Sequence, residues 1–213
     1  LQTLFVRAFS RAGIRVVYDD GIRSRPKISM GPALPIGLSS TSELFDISVA
    51  SALSPKQIMA QAQPHLPDHV QLRTASTMDG SPPSITQTIR AVSYRIELDE
   101  AKPNQIDTLD SNLKRLETDD PFILRRERKT RRGQIKRSII DLKSNIESVR
   151  RNDRTLELTV AAPNGQSVSP YAVLEALVGP LGDSMKTGSR QDERPFPVHK
   201  IGFQRVEERE SLI

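Results

Sequence analysis

Two stretches of the chain repeat one order of parts. Residues 44–61, LFDISVASALSPKQIMAQ, and residues 155–176, TLELTVAAPNGQSVSPYAVLEA, each run from a strand through a loop to a Ser-Pro pair and a helix. Phe45, Ile47 and Val49 alternate in the first copy, and Leu156, Leu158 and Val160 in the second. That is the period of a half-buried strand. Ser supplies a helix N-cap and Pro a preset first helical residue, so Ser54-Pro55 and Ser169-Pro170 open helices. Gly179 closes the second one. A repeat on this scale constrains the fold more than any short motif does.

The rest of the chain fits around the repeat. Leu1, Leu4, Phe5, Ala8, Phe9 and Ala12 share one helical face, with Gly13 as its stop. IRVVY at 14–18 reads as a strand, DDG at 19–21 as a turn, and VQLRTA at 70–75 as a further strand. Residues 76–87 are polar with two prolines and read as a linker. In the second half, AVSYRIELD (91–99) is a strand, and Ile106, Leu109, Leu113 and Leu116 mark a helix. FILRRERK (122–129) with GQIKRSIIDL (133–142) reads as a basic hairpin or loop, and VHKIGFQRV (198–206) as the last strand.

Each half therefore reads β-α-β-β-α-β, with the opening strand missing from the first. The expected fold is α+β, two tandem ferredoxin-like domains. The first spans 1–78 and is truncated at its start. A linker covers 79–88. The second spans 89–208 with a basic insertion at 125–137, and 209–213 form a tail. A domain without its interior first strand would leave an open cleft, so the chain is expected to be a fragment or to have a misassigned start.

Charge is uneven. Residues 125–137, RRERKTRRGQIKR, hold eight Lys/Arg against Glu127 alone. The whole chain carries +5 and that segment +7, which leaves −2 on the other 200 residues. Arg125, Arg126, Arg128, Lys129, Arg131, Arg132, Lys136 and Arg137 are the candidate phosphate contacts. Aromatics make up only 4% of the chain and Trp is absent, which argues against base stacking. A second cationic set lies in GIRSRPKISMGPALPIG, residues 21–37. If that segment is extended, Arg23, Arg25 and Lys27 face one side. Gly21, Pro26, Gly31, Pro35 and Gly37 would fix the geometry of the turn around them.

The chain has no cysteine. This excludes disulfides, thiolate metal sites and an iron–sulfur cluster held by its own residues. It fits a reducing compartment, and a cytoplasmic location is expected. No stretch approaches the roughly 18 apolar residues of a membrane-spanning helix. His65 and His69 stand four apart in HLPDH, but Pro64 and Pro67 disfavour the helix a metal pair would need. His199 stands alone in a strand. No Walker or dinucleotide loop and no nucleophile elbow is present. No cofactor, metal or catalytic residue is expected.

The run RAFSRAGIRVVYDDGIRSRPKISMGPALPIG resembles the domain of radical-SAM-linked proteins. Arg11, Ala12 and Gly13 match that family's helix end. Gly21, Pro26, Ile28 and Ser29 match its turn, with Lys27 in an Arg position, and Leu34, Pro35 and Gly37 match its close. Asp141-Leu142 and SPYAVLEAL match further on. Arg23-Ser24 replaces the family's Asn-Pro, and its opening strand with the following Ser-His is absent. The resemblance implies a radical SAM protein as partner, fused or encoded alongside, and a role in RNA or ribosome modification. Duplicated ferredoxin-like domains also resemble the CRISPR repeat-processing endoribonucleases, at the level of fold alone.

The expectation from sequence is thus a non-catalytic RNA-binding accessory module that assists a radical SAM enzyme. The alternatives are a protein–protein docking module that contacts no RNA, and a metal-independent ribonuclease using His65 or His69.

Overall fold

The structure, a computed structural model, describes the chain except residues 36, 79, 81–82, 130–132, 182–195 and 206–213. At 126, 128, 129, 136 and 203–205 it describes the backbone alone. The architecture is mixed α+β, with five α-helices and several sheets among the described residues. The chain divides into two compact units. The first comprises Leu1–Gly31 with Leu44–Thr88; the second comprises Pro32–Glu43 with the chain from Ile89 through the last strand. Residues 32–43, which precede the first copy of the repeat, thus group with the second unit.

In the first unit, α1 (Gln2–Arg11) buries Phe5, Ala8 and Phe9, spaced as one face of a helix. Gly13 adopts a φ of 72°, and Ile14 N donates to Phe9 O at 2.9 Å, ending the helix where the sequence places its stop. Strand β1 (Ile28–Met30) pairs antiparallel with β3 (Phe45–Ile47). Phe45 stacks on Phe5 at 4.3 Å between ring centroids and meets Phe9 edge-on. Helix α2 (Pro55–Ala62) carries the expected cap: the Ser54 side chain accepts from Gln57 N, and Gln57 Oε1 accepts from Ser54 N at 2.9 Å.

Two local expectations fail here, and a third stretch gains an element. IRVVY contributes only isolated bridges, Val16 to Val49 and Tyr18 to Pro26. VQLRTA forms no strand, because the Gln63 side chain takes the groups a ladder would use. Its amide donates to Val70 O at 2.9 Å and its carbonyl accepts from Leu72 N at 2.8 Å. The expected linker contains a short helix, α3 (Ile85–Thr88), with Ile85 buried. The described residues of this unit thus show one three-residue ladder and two bridges where a tandem arrangement expects a four-stranded sheet.

The second unit is built on a five-stranded sheet in the order β2-β9-β4-β8-β7. Its strands are β2 (Ser39–Ser40), β4 (Ile89–Glu97), β7 (Ile146–Asn152), β8 (Thr155–Ala161) and β9 (Val198–Arg205). The β4–β8, β4–β9 and β7–β8 pairings are antiparallel, and β2 adds in parallel to β9. Helix α4 (Pro103–Glu117) lies between β4 and β7 in sequence, and α5 (Pro170–Val178) between β8 and β9. β7, which the sequence reading missed, is an edge strand of mostly exposed residues. Its apolar signal is correspondingly thin.

Register explains the core. Val92, Tyr94 and Ile96 pair with Val160, Leu158 and Leu156, and all six are buried. Leu109 of α4 and Val173, Leu174 and Leu177 of α5 complete this interior. The alternate set, Ser93, Arg95 and Glu97 against Thr159, Glu157 and Thr155, forms a polar face. One apolar and one polar face is the usual division of labour in an antiparallel sheet.

Candidate nucleic-acid interface

The basic segment forms a two-stranded ribbon, β5 (Ile123–Lys129) against β6 (Ile135–Asp141). Seven residues per strand give a length of roughly 20 Å. Among the described residues, neither strand joins another sheet. Asp141 holds the base of the ribbon: its Oδ1 accepts from Phe122 N at 3.2 Å and Lys143 N at 3.1 Å, and its carbonyl accepts from Asn145 Nδ2 at 2.8 Å. Phe122 and Leu142 are buried beneath, and the Arg115 guanidinium lies 5.0 Å from the Phe122 ring centroid. The Asp141-Leu142 pair singled out in the sequence is therefore the anchor of this ribbon.

Pairing sorts the ribbon into two register sets. One holds Ile123, Arg125, Glu127, Lys129, Ile135, Arg137, Ile139 and Asp141; the other holds Leu124, Arg126, Arg128, Lys136, Ser138 and Ile140. Arg125 and Arg137 are exposed. Arg137 Nε lies 2.6 Å from Glu127 Oε1, both side chains being largely exposed, so that contact is weak and breakable. Ile135 and Ile139 are 60% and 72% exposed, leaving apolar surface beside the cations. Arg126, Arg128, Lys129 and Lys136 lie on the ribbon by backbone position. Arg131 and Arg132 fall outside the described residues.

The second cationic set is arranged differently from expectation. Asp19 organises a closed loop: its Oδ1 accepts from Arg25 N at 2.9 Å and Gly21 N at 3.3 Å, and its carbonyl accepts from Ser24 Oγ at 2.9 Å. The chain bends at 21–23, so Arg23 does not share an extended face with Arg25 and Lys27. All three are exposed. Gly21 and Gly31 do not take a positive φ, whereas Gly37 does, at 85°. Gly21, Pro26 and Gly31 belong to the first unit, and Pro35 and Gly37 to the second. The stretch 21–37 is therefore not one turn.

Residues 32–43 instead serve the second unit. Lys200, fully buried, donates from Nζ to Pro32 O at 3.0 Å and lies 2.7 Å from Glu43 Oε1. One ammonium thus clasps both ends of the segment. Tyr171 Oη donates to Gly37 O at 3.2 Å in its middle. Burial pulls Lys200 below its ordinary 10.5, against the hydrogen bond and charge of Glu43. Burial likewise pushes the Tyr94 hydroxyl above 10.0; a hydrogen bond with Ser167 opposes this and the Glu43 charge adds to it. The sequence reading missed this cluster because its members lie 157 positions apart in an unremarkable strand and loop. The one available signal was a Lys among the apolar residues of VHKIGF.

His65 and His69 are exposed and not joined by a helix: the 3₁₀ turn Gln63–His65 ends at an extended Leu66. No group of three His, Asp or Glu suited to a metal occurs among the described residues. No described helix is long and apolar enough to cross a membrane.

No curated protein matches the chain. A family model does, over residues 1–170, from α1 to the first residue of α5, including the whole basic ribbon. The chain belongs to DUF2344, a family of uncharacterised proteins conserved in bacteria.

Proposed function

We propose that the chain is an RNA-binding accessory module, with the β5–β6 ribbon as its principal contact. One observation carries this reading: the densest cationic segment forms its own two-stranded ribbon, held at its base by Asp141. Cations on such a ribbon gain from counterion release when they meet backbone phosphates. The major groove of an RNA helix is too deep and narrow for side-chain readout. The contacts are therefore to phosphate and shape, with little base discrimination. Arg25 and Lys27 supply a secondary contact.

The resemblance to radical-SAM-linked proteins supports a radical SAM enzyme as the partner, with RNA or ribosome modification as the process assisted, in the cytoplasm. We read the second unit as ferredoxin-like, since strands β9-β4-β8-β7 follow the split β-α-β order. The tandem form of that fold is part of the same proposal.

A docking module without RNA contact is the second reading, favoured by exposed Ile123, Ile135 and Ile139. Anisotropy titration of a fluorescent structured RNA separates the two. Wild type binds, and Arg125→Ala/Arg126→Ala/Arg128→Ala/Arg137→Ala binds at least tenfold more weakly. Absence of wild-type binding at low salt overturns the RNA reading. A cleaved RNA product that disappears with His65→Ala or His69→Ala would favour the ribonuclease instead.

A further inference from the structure

We propose that Ser39, His199 and Glu97 form a nucleophilic triad that transfers acyl groups from small carboxylic esters to water. The three come from three adjacent strands of the five-stranded sheet, the edge strand β2, its neighbour β9 and the central β4. Ser39 pairs in register with His199, and His199 with Arg95, two residues from Glu97 on the polar face. The Ser39 hydroxyl is hydrogen-bonded to His199 Nδ1. The other ring nitrogen, Nε2, lies 3.2 Å from Glu97 Oε1.

The carboxylate fixes the tautomer. A proton on Nε2 faces Glu97, so Nδ1 is bare and accepts from the serine. This is the nucleophile, base and orienting acid of serine catalysis, recognisable by geometry and not by order in the chain. The relay is not needed to hold β2 in place. The β2–β9 pairing and the bond from Thr41 N to Lys200 O at 3.0 Å already do so. Nor is it sealed: the His199 and Glu97 side chains are 29% and 44% exposed. Residues on paired strands keep such a constellation in place better than loops would.

In the reaction, Ser39 Oγ bonds to the ester carbonyl carbon while its proton passes to Nδ1. The ester C–O bond breaks and the alkoxide leaves with that proton. Water then attacks the acyl-serine, gives a proton to Nδ1, and the Oγ–C bond breaks with the proton returning to Oγ.

Diisopropyl fluorophosphate tests this directly, since Oγ displaces fluoride at phosphorus by the same deprotonation. Peptide mapping of the full chain should find the adduct on Ser39. Labelling should be at least 100-fold slower in His199→Gln and absent in Ser39→Ala, with 4-nitrophenyl acetate hydrolysis falling in parallel. Folded wild type without an adduct on Ser39, beside a serine hydrolase that labels fully, overturns the proposal. So does equal ester hydrolysis by wild type and Ser39→Ala. Neither outcome bears on RNA binding, which Ser39→Ala should leave unchanged.

Discussion

The two units hold themselves together by different means. The first relies on an apolar cluster around Phe5, Ala8, Phe9, Ile14, Ala62 and Leu66, packed against Phe45 and its neighbours. The second has an apolar core too, but closes it with a buried ammonium clasping both ends of residues 32–43. An apolar cluster tolerates adjustment, whereas a buried charge demands its partner. The second unit should therefore be the more brittle to polar substitution.

Lys200→Met should do the greatest damage. It leaves Glu43 with a buried oxygen that has no other hydrogen-bond partner among the described residues. Breaking a buried pair costs about 3 kcal/mol or more. Adding Glu43→Gln should return part of that loss. Hydrogen exchange should show deprotection in the second unit and leave α1 unchanged; equal deprotection of both would erase the contrast. Asp141→Ala comes next, at about 1–3 kcal/mol for the donors it strands. Protease cleavage should move to the base of the ribbon.

The Ser-Pro pairs sharpen the comparison because the sequence shows them as equals. Ser54 makes a full capping box, whereas Ser169 makes no side-chain cap bond. Ser54→Ala should cost about 1 kcal/mol in urea titration, and Ser169→Ala clearly less. Equal losses would contradict the capping assigned here.

Alkaline pH gives the smallest and most specific effect. With Tyr94 raised in the fold, the folded chain keeps a proton that the unfolded chain releases above 10.0. Stability from this group is intact below pH 10 and lost as pH climbs towards the raised value. Lys200 acts in the opposite sense. Its lowered value means that stability rises with pH between that value and 10.5. Tyr94→Phe should therefore gain on wild type as pH passes 10, and a pH-independent difference would contradict the shift.

Regular elements with strong periodicity were legible: α1 with its glycine stop, both Ser-Pro helices, β4, β8, β9 and the basic hairpin. Local exchange of hydrogen bonds was not. Gln63 replaces a strand at 70–75, and Asp19 turns an extended segment into a loop. Nor was long-range pairing. Nothing in the sequence near Ser39 or Glu43 announces a partner at 199 or 200, since contact across 160 positions leaves no local period. The cationic ribbon was visible because charge density is a property of composition. Its anchor at Asp141 was visible only as a motif, without its structural meaning.

The salt dependence of RNA affinity tests the central claim most directly. Log affinity falls against log salt with a slope of about −0.7 to −0.9 per phosphate contacted. Arg125→Ala/Arg126→Ala/Arg128→Ala/Arg137→Ala should flatten the slope by about 3 units, and Arg25→Ala/Lys27→Ala by fewer than 2. An unchanged slope in the ribbon variant, or a larger change in the loop variant, would contradict the assignment of the ribbon as the principal RNA contact.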